Sequence, residues 1–192
     1  MKMFDSIVVA YGRTTFDLAM SVRAMLELYR LYVHTYYCCQ KGNLLDVLAG
    51  RIPDADYVVL VFGGGLGRDL ARGGCISCPR LVEQARGKWR TVDVKLFSKD
   101  IRRLVNLKGR TVIAMGCNTG RQSLARAFLD AGCRAYIAPT RPIDQNSTTM
   151  FVCAFFHCLL AEPPDRLCDR DAVERARRID SQTASYRLYT NE

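Results

Sequence analysis

Histidine is scarce in this chain, with only His34 and His157 among 192 residues. Any imidazole chemistry must come from one of those two positions. Long apolar runs are also missing: no stretch approaches the roughly 18 unbroken apolar residues of a membrane-spanning helix. The opening MKMFDSIVVAYGR places an acid inside its short apolar run and lacks a small-residue cleavage site. A first strand is expected there rather than a signal peptide, and the protein is expected to be soluble and cytoplasmic. No lysine-rich tail, zinc-finger spacing or aromatic RNA-binding signature accompanies the net charge of +9. Arg102 with Arg103, and Arg175 with Arg177 and Arg178, fall in helical segments as solvated charge, so nucleic acid is not an expected partner. The CxxC of Cys75 and Cys78 has no second pair and is half a zinc site; no metal and no cofactor are expected. No internal repeat or linker divides the chain, which reads as one domain over 1–192.

What is present is material for a core. Hydrophobic residues make up 49% of the chain, enough at this length to bury a core without disulfide support. The nine cysteines are odd in number, and several, such as Cys153 and Cys158, lie in apolar periodic segments. They are expected as free thiols that pack like small hydrophobes. Phe4 to Ala10 is a β-branched run ending at Tyr11 and Gly12, which suits a buried first strand. Leu18, Val22, Met25, Leu26 and Tyr29 recur at helical spacing and predict a helix from about Phe16 to Leu31. A second strand from Val33 to Cys39 and a short helix capped by Asn43 and stopped at Gly50 follow. The third strand, DYVVLVF, runs into the glycines of GGGLG. Residues 68–90 read as polar and irregular, and WRTVDVKLF as a half-exposed strand in a hairpin. Strands alternating with helices predict a parallel-dominated sheet covered on both faces.

The stretch from Leu107 to Leu160 carries the candidate chemistry. Thr111 to Met115 is expected as a buried strand, Gly120 to Ala131 as a helix and Ala135 to Ala138 as a strand. Pro139 to Asn146 is expected as a loop, followed by a buried apolar helix from Thr148 to Leu160 capped by Ser147. Cys117 and Asn118 then stand at the C-terminal end of a parallel strand, where βα loops leave a crevice and helix N-termini aim N–H groups into it. A thiol there becomes a nucleophile only beside an imidazole, a cation or a helix N-terminus. Amides around Gly120 and Arg121 are expected to supply part of that setting and donors for an oxyanion. Phe62, Gly63, Gly64 and Gly65 read either as a loop that cradles an anion or a substrate backbone, or as a tight turn at a sheet edge. Asp144 reads either as a carboxylate that selects a basic side chain or as a turn residue. His157 is expected as a packed residue of the apolar helix, and His34 near a strand start, away from Cys117.

The segments VIAMGCNTG, SLARAFLDAGCRAYIAPTRPID and FVCAFFHCLL resemble the CHAT family and, more broadly, the caspase-like cysteine peptidases that include separases and gingipains. The resemblance covers roughly Leu107 to Leu160. It implies a caspase-like three-layer α/β sandwich with a mostly parallel central sheet and helices on both faces, with Cys117 in the place of the nucleophile. Where the family keeps a His followed by Gly, at the end of the preceding strand, this chain has Phe62, Gly63 and Gly64, so the imidazole would stand at Phe62 or Gly63.

Three functions are open on this basis. The favoured one is a degenerate peptidase acting as a binding or regulatory module for a protein or peptide partner, because a missing general base costs about 10²- to 10⁴-fold in rate. The others are an active cysteine endopeptidase with an unusual base, and a flavodoxin-like domain binding a nucleotide or small molecule at the glycines. The tyrosines leave room for a homo-oligomer.

Overall fold

The computed structural model describes residues 6–66, 73–85, 87–162 and 164–191. Phe4, Gly67, the first residues of the 68–90 segment and Pro163 lie outside that set. The main sheet has six strands in the order β2-β1-β3-β7-β8-β9: β1 Ser6–Tyr11, β2 Tyr32–Tyr37, β3 Tyr57–Val61, β7 Thr111–Ala114, β8 Ala135–Pro139 and β9 Tyr186–Thr190. The first five pair in parallel and β9 closes the edge antiparallel to β8.

Both faces of this sheet are covered, which is why its central strands read as unbroken apolar runs rather than alternating ones. Along β1, Val8 and Ala10 face one core while Ile7, Val9 and Tyr11 face the other. The first core takes α2 (Lys41–Leu48), α3 (Ser98–Leu104) and α4 (Gln122–Asp130); the second takes α1 (Phe16–Leu28), α5 (Gln145–Leu160) and α6 (Asp169–Ala176). Aromatic contacts fix the second core: Phe151 stacks on Tyr186, and Tyr57 meets Phe155 and Phe156 edge-on. This is the expected three-layer α/β architecture. Among the described residues no helix is long and apolar enough to cross a membrane.

Four local expectations change. The glycine stretch is not a loop. Gly63–Leu66 forms strand β4, which pairs antiparallel with β5 (Gly74–Ala85), and β5 pairs with β6 (Lys88–Leu96) in a separate three-stranded sheet. The described part of 68–90 is thus mostly ladder rather than irregular; Ile76, Cys78 and Leu81 bury against the first core from that ladder, a pattern masked in sequence by the intervening polar residues. Asp144, not Ser147, caps α5: its carboxylate accepts from Ser147 N at 2.7 Å and the helix begins at Gln145. Finally α5 is not buried all round, since Met150 and His157 reach solvent.

Candidate functional site

Beyond the C-terminal strand ends, three segments converge: the turn 116–120 after β7, strand β4, and the loop 140–144 after β8. Cys117 is half-buried in this convergence. Its thiol lies 3.4 Å from the Ile143 carbonyl oxygen, to which it donates, and 3.4 Å from the Ile143 amide, which donates to the sulfur. The sulfur is therefore held between two backbone groups of the following loop.

The turn itself is internally satisfied. Asn118 takes a left-handed conformation, φ 59°, one of the few non-glycine residues for which this is tolerable, and its amide donates to Arg141 O at 3.2 Å. Thr119 bonds Gly116 O through both its amide, at 3.3 Å, and its hydroxyl, at 2.6 Å. Gly120 N donates to Pro139 O at 2.8 Å and Arg121 N to Asn118 O at 3.4 Å. The two amides expected to face an oxyanion are thus spent on protein carbonyls. Helix α4 starts only at Gln122.

Strand β4 closes the other side. A methyl group on Gly64 would strike the Cys117 carbonyl oxygen and lie 2.8 Å from both the Gly116 carbonyl carbon and Thr119 Cγ2. Conversely, one on Gly116 would come within 2.6 Å of Gly63 C and 2.7 Å of Gly64 N. Two glycine backbones meet here at a distance that no side chain permits. Of the residues at the expected imidazole position, Phe62 is buried in the first core and Gly63 faces the Ser77 carbonyl. Gly64 alone aims at Cys117, and its neighbour Gly65 faces open space.

Neither histidine reaches the thiol. His157 sits near the end of α5, at the opposite end of the sheet, where its Nδ1 bonds Tyr29 Oη at 2.5 Å beside a cavity of about 570 Å³ lined also by Glu162, Asp165 and Arg175. It is exposed rather than packed in the core. His34 lies on edge strand β2, with β1 and β3 between it and β7, a separation of about 14 Å at ordinary strand spacing.

Two hydroxyls not singled out from the sequence support the turn. Thr148 Oγ1 donates to Met115 O at 3.2 Å and also bonds the Tyr186 hydroxyl. Burial pushes that phenol well above its ordinary range, so it stays a neutral hydrogen-bonding group. Tyr186 opens the last strand, β9, where nothing local in the sequence marks its hydroxyl as a partner of Thr148.

Asp144 is occupied locally. Ser147 donates to it through amide and hydroxyl, and the Asp144 amide donates to Gln182 Oε1 at 2.8 Å. The Ser147 amide holds the Asp144 carboxyl below its usual range, as the Thr183 amide does for Asp180. Cys75 and Cys78 are buried in β5, and burial pushes both thiols up. Among the described residues no group of three or more His, Cys, Asp or Glu side chains is placed to hold a metal.

No known family's sequence pattern matches the chain, and no curated protein matches it. Solved structures do. The chain is similar to Saccharomyces cerevisiae separase in its complex with securin, with a TM-score of 0.60 and 13% identity over 97% of this chain and 12% of that one. It is also similar to Porphyromonas gingivalis RgpB in the complex of its pro- and mature domains, with a TM-score of 0.58 and 11% identity over 97% of this chain and 47% of that one. The fold is therefore similar to the caspase-like fold of separase and RgpB. The chain spans less than half of either relative.

Proposed function

We propose that this is a non-catalytic domain of the caspase-like fold, of CHAT type, that binds a protein or peptide partner at the C-terminal end of its sheet. The observation that carries the reading is the contact between Gly64 and the Gly116–Cys117 backbone. It leaves no room for a side chain at the β4 position packed on the Cys117 turn, and neither of the chain's two histidines stands beside the thiol. General-base activation contributes about 10²- to 10⁴-fold in such reactions, and an oxyanion donor a further 10²- to 10³-fold or so. The Gly120 and Arg121 amides are committed elsewhere. In support of a protein partner, separase and RgpB were both solved bound to polypeptide, securin in one case and a pro-domain in the other. Among the described residues strand β4 is also an edge strand with no partner strand on its second side, and an open edge accepts an extended segment.

The test is a peptide-library digest read by mass spectrometry with the wild type and Cys117→Ala. No cleavage by either protein is expected. Cleavage by the wild type that disappears in Cys117→Ala overturns the proposal.

A further inference from the structure

The open edge of β2 has a geometry that suits a second copy of this chain. Backbone groups of alternate residues in a strand point to alternate sides. Cys38 N donates inward to Tyr11 O of β1 at 2.8 Å, whereas Cys39 O accepts from Val82 N on the outer side at 2.8 Å. Counting back by twos, His34 and Tyr36 face β1, and Val33, Thr35 and Tyr37 face outward. The Tyr37 carbonyl is taken by Cys39 N at 3.1 Å. Val33 and Thr35 therefore offer outward N–H and C=O groups with no strand beside them among the described residues.

Edge strands are normally guarded by charge, proline or a bulge. Strand β2, YVHTYY, has no lysine, arginine, aspartate, glutamate or proline. The other edge of the sheet, β9, carries exposed Arg187. The unguarded edge is also the aromatic one. Tyr32 is 74% exposed and Tyr37 44% exposed, and Tyr37 continues an aromatic group through Tyr11 to Phe16, itself 50% exposed.

We propose that two copies pair antiparallel along β2 about a two-fold axis through His34, joining their six-stranded sheets into one. A two-fold axis normal to the sheet keeps each face on its own side, so directly opposed residues must share parity. Hydrogen bonds must also join outward-facing residues. Both conditions hold in the register that sets Val33 against Thr35 of the copy, with the His34 pair between and Tyr32 against Tyr36. Val82, lying over Cys39, blocks the strand from sliding further toward its C-terminal end. An extended peptide would satisfy the ladder but not the flanking aromatics. A copy satisfies both, because the same register sets its Tyr36 directly against Tyr32 on either side of the axis, and cross-strand aromatic pairs stabilise a ladder. That extra surface matters, since stable pairs bury roughly 1,200 Å² or more in total, and each aromatic adds the still-exposed part of its roughly 150–250 Å². The chain's net charge of +9 opposes self-association over most surfaces, which favours a strand free of formal charge.

Analytical ultracentrifugation across concentration, with Thr35→Pro and His34→Lys as variants, tests this. Thr35→Pro removes an outward N–H without touching the β1 ladder, and His34→Lys sets two ammonium groups face to face. The wild type is expected to dimerise at micromolar concentration, with each variant at least tenfold weaker and unchanged in helix and sheet content. A wild type that stays monomeric up to about 1 mM, or dimers that persist in either folded variant, overturns the proposal. Should the variants fail to fold, amide exchange of the wild type decides: Val33 and Thr35 gain protection with concentration if the edge is the interface, and show no change if it is not.

Discussion

The two ends of the central sheet differ in how their polar groups are satisfied. At the C-terminal end, around Cys117, backbone meets backbone: Ile143 holds the sulfur, Pro139 and Arg141 accept from the turn, and Gly64 rests on Gly116. At the N-terminal end, side chains meet one another. Tyr57 donates to Asp169 at 2.5 Å, Thr111 shares the same carboxylate at 3.4 Å, Arg134 bonds Thr111 at 2.9 Å, and Tyr29 pairs with His157. The exposed imidazole, His157, is at the end without the nucleophile's position, while the carboxylates near Cys117, Asp144 and Asp180, are spent on caps and turns. Residue inventory alone does not make a catalytic site; the chain has a thiol and two imidazoles, and its topology keeps them apart.

The largest effect should come from breaking the backbone contact at the Cys117 end. Gly64→His must push the Gly116–Cys117 turn away, because its Cβ meets backbone rather than a flexible side chain. Overpacking of this kind costs about 3 kcal/mol, measurable by urea unfolding. Gly65→His, facing open space, should cost far less. Equal losses at the two positions would mean that the glycines are not in contact with the turn as described.

Next in size is the opposite end. Tyr57→Phe removes the hydroxyl that donates to Asp169, a hydrogen bond to a charged group worth about 1.5–2 kcal/mol. The Arg134 guanidinium, 5.7 Å from the ring centroid, stays over the aromatic face. Loss of stability without any change in Cys117 reactivity would keep the two ends independent; coupled changes would erase the distinction between them.

A smaller effect concerns the cap beside the thiol. Asp144 and Asp180 both have carboxyls lowered by backbone donors, from Ser147 and Thr183 respectively. A folded-state pKa below the unfolded one adds stability that is present above the unfolded pKa, about 3.9 for Asp, and lost as pH falls through the folded value. Asp144→Asn keeps a capping oxygen but removes that titration, so its stability profile should be flatter than the wild type's below about pH 4. Thermal melts from pH 2.5 to 6 read it directly, and superimposable profiles would remove Asp144 from the acid response.

Much of the fold was legible because the strongest sequence signals are local. The β-branched runs of β1, β3 and β7 could only be buried strands, and the spacing of Leu18, Val22 and Leu26 could only be a helix face. Cys117 at a strand end followed from the same pattern. What escaped was decided by distant partners. GGGL became a strand because Ile76 and Cys75 pair with it across a separate sheet, a relation with no local signature in a glycine run. Asp144 rather than Ser147 became the cap because a carboxylate three residues before an amide competes well with a hydroxyl placed nearer the apolar run. The amides of Gly120 and Arg121 read as donors for a ligand, and only the folded paths of Pro139 and of the turn at Asn118 show that carbonyls already stand there. That Gly64, not Phe62 or Gly63, aims at Cys117 depends on the bend between β3 and β4, which composition does not encode.

The central claim is that Cys117 is not an activated nucleophile, and competitive alkylation at pH 6 tests it most directly. With iodoacetamide at limiting concentration and peptide mass spectrometry as readout, Cys117 should react no faster than exposed Cys168, since the thiolate is the reacting form and no imidazole attends Cys117. A Cys117 rate tenfold or more above that of Cys168 would contradict the account and restore this end of the sheet as a working active site.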